Sequence, residues 1–210
     1  MKYKVMIVED QTMPRELFEL RVQASERFEL ALSIDNAALA DVYCLRFPVD
    51  LILMDVITRD GENGLDAAAR IKRAFPQIKI IIVTSMPECS YLKRAKEIGV
   101  ESFWYKEEQR ESLLDVMERT MNGESVYPGA SPELTLGMAS SYQFTERELD
   151  ILREITSGDT NQEIADRLNM SVATVKTHIL NMLEKTGFRN RTELAVRARE
   201  SGLVILNRRN

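Results

Sequence analysis

Histidine is almost missing from this 210-residue chain: His178 is the single one. That weakens the case for an activated serine or cysteine, whose usual base is histidine, and for a zinc centre. Cysteine is nearly as scarce. Cys44 and Cys89 lack metal-ligand spacing, so they read as reduced thiols in a cytosolic protein. No apolar stretch approaches the roughly 20 residues of a membrane span, and the apolar run after Lys4 is too short for a secretory leader. Internal repeats and low-complexity tracts are also absent. What remains is ordinary globular composition, 44% hydrophobic and 29% charged, long enough for one or two domains. The expectation is a cytoplasmic protein without a membrane segment.

The stretch Asp50–Val56, Asp-Leu-Ile-Leu-Met-Asp-Val, organises the first half. A continuous apolar run of this length predicts a strand buried on both faces, as in a parallel sheet covered by helices. Strand signals also fall at Lys4–Val8, Phe28–Ile34, Lys79–Thr84 and Ser102–Tyr105. Helical patterns separate them: Pro14–Ala24, Asn36–Phe47, Gly64–Phe75, Tyr91–Ile98 and Glu108–Met121. This alternation predicts a doubly wound, five-stranded parallel sheet of the flavodoxin-like kind over residues 1–122.

Polar residues terminate four of the strands: Glu9 and Asp10 the first, Asp55 the third, Thr84 the fourth, Lys106 the fifth. The C-terminal ends of parallel strands share one edge, where open α/β sheets place their chemistry. Three carboxylates gathered there would raise one another's pKa, and a hard divalent cation relieves that repulsion with oxygen ligands. An ammonium and a hydroxyl alongside can hold further anionic oxygens. The set suits phosphoryl transfer, with Asp55 as nucleophile.

With these residues in place, residues 1 to about 122 resemble the receiver domain of two-component response regulators. The resemblance implies that Glu9, Asp10, Asp55 and the backbone carbonyl of Ile57 bind Mg2+. It makes Asp55 the phosphoacceptor of a sensor histidine kinase, with Thr84 and Lys106 holding the phosphoryl oxygens. Phe103 matches the aromatic switch position; read without the family, it is a core aromatic. Ile57 and Met86 would flank the attacking water, and their lack of polar groups implies slow self-dephosphorylation. Two departures stand out. The loop after Asp55 lacks the family's Met-Pro and is one residue longer, and Glu107 replaces a proline common after the lysine.

Residues 123–142, with Asn-Gly-Glu-Ser and Tyr-Pro-Gly-Ala-Ser-Pro, read as a linker rich in turn formers. Residues 143–210 are helical throughout. Thr145 caps a first helix, Asn161–Leu168 forms a second, Ser171 caps a third running from Val172 to Thr186, and Thr192 opens a fourth. Two helices joined by three residues make a helix-turn-helix, although the apolar spacing alone allows any small bundle. The stretches Phe144–Leu149, Asn161–Leu168, Ser171–His178 and Asn190–Glu193 resemble the LuxR-type DNA-binding domain. The whole chain then resembles a NarL/FixJ-type response regulator, an α/β receiver joined to an all-α four-helix DNA-binding domain.

That resemblance implies a homodimer on double-stranded DNA, reading an inverted repeat in the major groove. Lys176 and Thr177 are the base-edge candidates, Leu180 stands where relatives often carry a basic residue, and Asn181, Arg189 and Arg191 are candidates for phosphate. Leu194, Ala195, Ala198 and Leu203 form either a dimer seam or internal packing. The first half carries 17 basic against 21 acidic residues and the last 68 carry 11 against 10, so only the second half is free of a net repulsion from DNA. A phosphatase of the haloacid-dehalogenase type also uses a strand-end Asp, a Thr and a Lys. It needs a second Asp two positions on, where this chain has Ile57. A third possibility is a DNA-binding protein with a degenerate receiver, for which the altered loop speaks.

Overall fold

The computed structural model describes residues 2–59, 63–85, 89–106, 112–130 and 132–204. Two compact units divide after Ala130. In the first, β1 (Tyr3–Val8), β2 (Phe28–Ile34), β3 (Leu51–Met54), β4 (Lys79–Thr84) and β5 (Ser102–Tyr105) alternate with α1 (Thr12–Gln23), α2 (Ala40–Arg46), α3 (Gly64–Ala74), α4 (Cys89–Ile98) and α5 (Leu113–Met121). All the strands pair in parallel in the order β2-β1-β3-β4-β5. The order of strand addition reverses between β1 and β3, and such a switch point opens a crevice at the carboxyl ends of the strands.

The central strand is buried along its whole length, as its unbroken apolar run requires. Side chains alternate across the sheet. Val5, Ile7, Leu51, Leu53, Ile81, Val83 and Trp104 point to one face, where α1 contributes Phe18 and Val22 and α5 contributes Leu113, Val116 and Met117. Met6, Ile52, Met54, Ile80, Ile82 and Phe103 are buried on the other. Register places Phe103 beside Ile82 and Tyr105 beside Thr84, so Phe103 and Thr84 share that second face.

Element boundaries fall within a few residues of the sequence expectation where they are described, with one difference of kind. The predicted second helix begins as a 3-10 turn, Ala37–Leu39, because Asn36 turns back to accept from the Ala38 amide. The fifth helix begins at Leu113 behind a Ser112 cap; the residues before it, 107–111, lie outside the described residues.

The second unit holds α6 (Glu146–Thr156), α7 (Asn161–Arg167), α8 (Val172–Thr186) and α9 (Arg191–Ser201) around one apolar core. Ser171 caps α8, and Gly187 at φ 74° ends it in the left-handed conformation. The stretch expected as linker is structured at both ends. Val126 pairs with β5 of the first unit, and β6 (Thr135–Leu136) with β7 (Ala139–Ser140) forms a hairpin on the second. The Met138 amide donates to the Thr186 carbonyl at the end of α8, and Leu136 and Ala139 enter the core. Leu194, Ala198 and Leu203 are fully buried in that core. This corrects the dimer-seam alternative for them: their apolar surface is consumed within one domain. On α9, Val196 is the apolar residue that stays exposed.

One polar tie holds the start of α6 to the end of α8. Thr145 and Glu148 form a reciprocal capping box, and Lys185 donates to both oxygens of Glu148 (2.8 and 2.7 Å) and to the Gln143 carbonyl (2.9 Å). Burial opposes the Glu148 charge, but these donors outweigh it and hold the carboxyl below its ordinary value of 4.5. A carboxylate whose folded pKa is depressed stabilises fully above its unfolded pKa, and the gain is lost as pH falls through the folded value. Glu148→Gln should therefore cost on the order of 2 kcal/mol at neutral pH. Thermal unfolding against pH checks this: the gap between variant and wild type should close progressively below pH 4.5.

Candidate functional site

The expected strand-end residues meet at the crevice. Glu9 follows β1, and its carboxylate is anchored by the Gln11 amide (3.1 Å) while Arg15 donates to its carbonyl (3.0 Å). Asp55 follows β3; its Oδ1 accepts from the Val56 amide (2.7 Å). Lys106 follows β5 and its amide donates to the Thr84 carbonyl (2.9 Å), which fixes β5 to β4 at the site. The Lys106 ammonium then reaches inward to Glu9 Oε2 (2.6 Å) and Asp55 Oδ2 (2.8 Å). Glu9 is 1% exposed, Asp55 5% and Thr84 fully buried, so these groups interact with little water between them.

Electrostatics follow from that dryness. Burial pushes the Asp55 carboxyl up to about 7, Lys106 pulls it down and Glu9 adds to the push. Burial works against the Lys106 charge, yet the two carboxylates prevail and hold it above its ordinary value. Oxygens of Glu9, Asp10 and Asp55 lie within 4.8 Å of one another. Three carboxylates against one ammonium leave an excess of negative charge, and all the donors are hard oxygens. The set fits a hard divalent cation.

The loop after Asp55 lacks the family's proline but is closed at its base by other means. Ile57 and Asn63 form an antiparallel bridge, and the Gly64 amide donates to the Val56 carbonyl (2.8 Å). Thr58, buried, accepts from the Ala37 amide (3.0 Å), and Arg59 bonds Asp35 through both main chain (3.1 Å) and side chain (2.6 Å). The loop tip, residues 60–62, lies outside the described residues, as do Met86 and Glu107. Sequence reasoning missed Arg15, Thr58, Arg59 and Gly64 as parts of the site. Gly64 carried a signal, a glycine opening a helix, but the reason for it is tertiary. A Cβ there would lie 1.8 Å from the Asp55 carbonyl oxygen.

In the second unit, α8 presents Lys176, Thr177, Leu180 and Asn181 to solvent, with Leu180 65% exposed. Val175, Ile179 and Met182 face the core instead, so a single stripe of the helix is available to a partner. Arg189 is exposed. Arg191 is set apart from the other expected phosphate contacts. It is half-buried, and its guanidinium donates to Asn161 Oδ1 (2.6 Å) and to the Asp159 carbonyl, tying α9 to the start of α7.

Two family models match this chain. The response regulator receiver domain covers residues 5–118, and the bacterial regulatory proteins of the luxR family cover residues 142–198. The chain belongs to the response regulators, with a receiver and a LuxR-type DNA-binding, transcription-regulating domain. Among its relatives is the response regulator protein VraR of Staphylococcus epidermidis, 33% identical over 97% of this chain and all of that one. VraR of Staphylococcus aureus is 32% identical over the same shares. Solved structures with the same fold include RcsB of Salmonella enterica serovar Typhimurium bound to promoter P1flhDC in the presence of the phosphomimetic BeF3-. It has a TM-score of 0.60 and 19% identity, covering 97% of this chain and all of that one. The response regulator ChrA of a heme-sensing two-component system follows at TM-score 0.52 and 21% identity, covering 97% and 99%. Among the described residues no helix is long and apolar enough to cross a membrane.

Gly64→Ala should force the Asp55 backbone aside and destabilise the receiver by about 1–3 kcal/mol, as overpacking does. Thermal unfolding measures the cost, and amide chemical shifts at Asp55 and Val56 should move furthest. Unchanged shifts there would show that the helix start, and not the Asp55 loop, absorbs the added methyl.

Proposed function

We propose that Asp55 accepts a phosphoryl group from the phosphohistidine of a sensor kinase, and that this modification controls DNA binding by the second domain. The observation that carries the reading is the Glu9–Asp10–Asp55 cluster, with Glu9 and Asp55 buried and Lys106 2.8 Å from Asp55. In the transfer, an Asp55 carboxylate oxygen forms the new P–O bond and the P–N bond of the donor breaks. The Val56 amide orients the carboxylate through Oδ1, which leaves Oδ2 and Lys106 on the side where the phosphoryl oxygens arrive. Thr84, on the same edge, supplies a hydroxyl. Glu9, Asp10, Asp55 and the Ile57 carbonyl are the residues that would hold Mg2+, which when bound neutralises charge on the transferring group. The chain acts on itself, so no external substrate is turned over.

Incubation with Mg2+ and acetyl phosphate should add one phosphoryl group to the wild type by intact mass. Asp55→Ala should add none, and omission of Mg2+ should abolish the gain. An unmodified wild type under several phosphodonors would favour the degenerate receiver.

On DNA, the active form should bind as a homodimer to an inverted repeat, each α8 in a major groove. Lys176 and Thr177 are assigned to base edges, Leu180 to a thymine methyl, and Asn181 and Arg189 to phosphate. Arg191 acts chiefly as the tie between α7 and α9. With a duplex selected from a random library, Lys176→Ala or Thr177→Ala should lose about 1–3 kcal/mol per base contact. Arg189→Ala should instead weaken all sequences alike. Replacing thymine by uracil at the contacted step should weaken the wild type and leave Leu180→Ala unaffected. Equal losses on selected and random DNA for Lys176→Ala would remove its base-reading role.

A further inference from the structure

Strand β5 is an edge of the sheet. An unpaired edge invites another strand, and proteins cover such edges. Here the cover is the chain just beyond α5. The Phe103 amide donates to the Val126 carbonyl (2.8 Å), and the Val126 amide donates to the Ser102 hydroxyl (3.1 Å). That hydroxyl is fully buried and lies 2.6 Å from the Thr120 hydroxyl, which in turn is 2.6 Å from the Val116 carbonyl. The hydrogen count closes in one direction only: Thr120 donates to Val116, Ser102 donates to Thr120, and Ser102 accepts from Val126. Every group in this buried row has a partner, which is the condition under which such a network rigidifies.

Tyr127 extends the cover over the side chains. Its ring lies 6.3 Å from the Phe103 ring, and the Tyr105 ring lies 5.0 Å from Phe103. The Tyr127 hydroxyl donates to the Val100 carbonyl (2.7 Å), and the Lys96 ammonium sits 5.0 Å from the ring centroid. Pro128 follows and favours the extended backbone that lets Tyr127 lie along the strand. Phe103 is left 1% exposed, with the Tyr105 and Tyr127 rings against it.

We propose that Tyr127 is a positioning residue for Phe103, and that the Val126–Tyr127 strap reports the state of the phosphoryl site to the chain that leads into the DNA-binding domain. The proposal rests on Asp55 being the phosphoacceptor and Phe103 the aromatic that follows Thr84. The docked strap lies over the inward Phe103, and an outward swing of that side chain requires Tyr127 to leave. Strap docking and the inward aromatic therefore favour each other. Linkage makes the coupling reciprocal: whatever phosphorylation does for the strap, the strap does for phosphorylation. The sign is fixed by the burial of Phe103 under the docked strap. Phosphorylation should tighten the strap, and loss of the strap should hinder phosphorylation.

The test uses the full chain and two readouts. Hydrogen exchange of residues 125–127 should slow about fivefold or more when Mg2+ and beryllofluoride, a phosphoryl mimic, are added. Beryllofluoride affinity in the presence of Mg2+ should weaken by a similar factor in Tyr127→Ala. Tyr127→Phe keeps the ring and should fall between that variant and the wild type. Lys96→Ala, at an exposed position, should shift the affinity in the same direction by less. Faster exchange of the strap with beryllofluoride would overturn the proposal. So would wild-type beryllofluoride affinity in Tyr127→Ala and Lys96→Ala. A wild type that takes up no phosphoryl group at all would instead sink the assignment of Asp55 beneath it.

Discussion

One ammonium placed between two carboxylates at the dry end of a parallel sheet sets the terms for the rest of the receiver. Lys106 lies within hydrogen-bonding distance of both Glu9 and Asp55, which come from strands on opposite sides of the switch point. Without that cation, two buried carboxylates would face each other with no compensation, and such a pair resists joint ionisation. The placement demands that β1, β3 and β5 end at the same level, so it demands the register of the whole sheet. A one-residue slip of β5 would send Lys106 to the other face along with every side chain in that strand. Apolar packing holds the strands, but the shared ammonium makes only one register acceptable.

Much of this was legible in the sequence because the signals were local. Unbroken apolar runs marked buried strands, and their polar terminators marked the crevice edge. The central strand and the meeting of Glu9, Asp10, Asp55 and Lys106 followed from those two rules. What escaped was tertiary. Gly64 looked like a helix-opening glycine, whereas the reason for it is a carbonyl from another turn of the chain. Arg59 and Asp35 are far apart in sequence and ordinary in kind, so nothing flagged them as the clasp that replaces the missing proline. Arg191 looked like a phosphate ligand by position, and its partners Asn161 and Asp159 became visible only on folding.

The DNA-binding domain shows the same division. Caps and glycine stops announced its helices, since those rules act within a turn or two. Which apolar residues served the core and which a partner was not decidable from spacing, because a buried seam and a dimer seam share one periodicity. The structure assigns Leu194, Ala198 and Leu203 to the core and leaves a nearly neutral stripe on α8.

The small hairpin before α6 bears on how this domain can be treated as a module. Its turn residue Gly137, at φ 62°, sits so close to the Thr186 carbonyl that no side chain fits, and Leu136 is embedded in the helical core. The helix-turn-helix therefore does not begin at its first helix. A fragment cut at residue 143 would leave behind apolar surface and an unpaired carbonyl at the end of α8. Recombination of receivers with output domains, by laboratory splicing or by descent, is least disruptive between Ala130 and Glu133, before Glu133 and Leu134 engage the hairpin and the helical core.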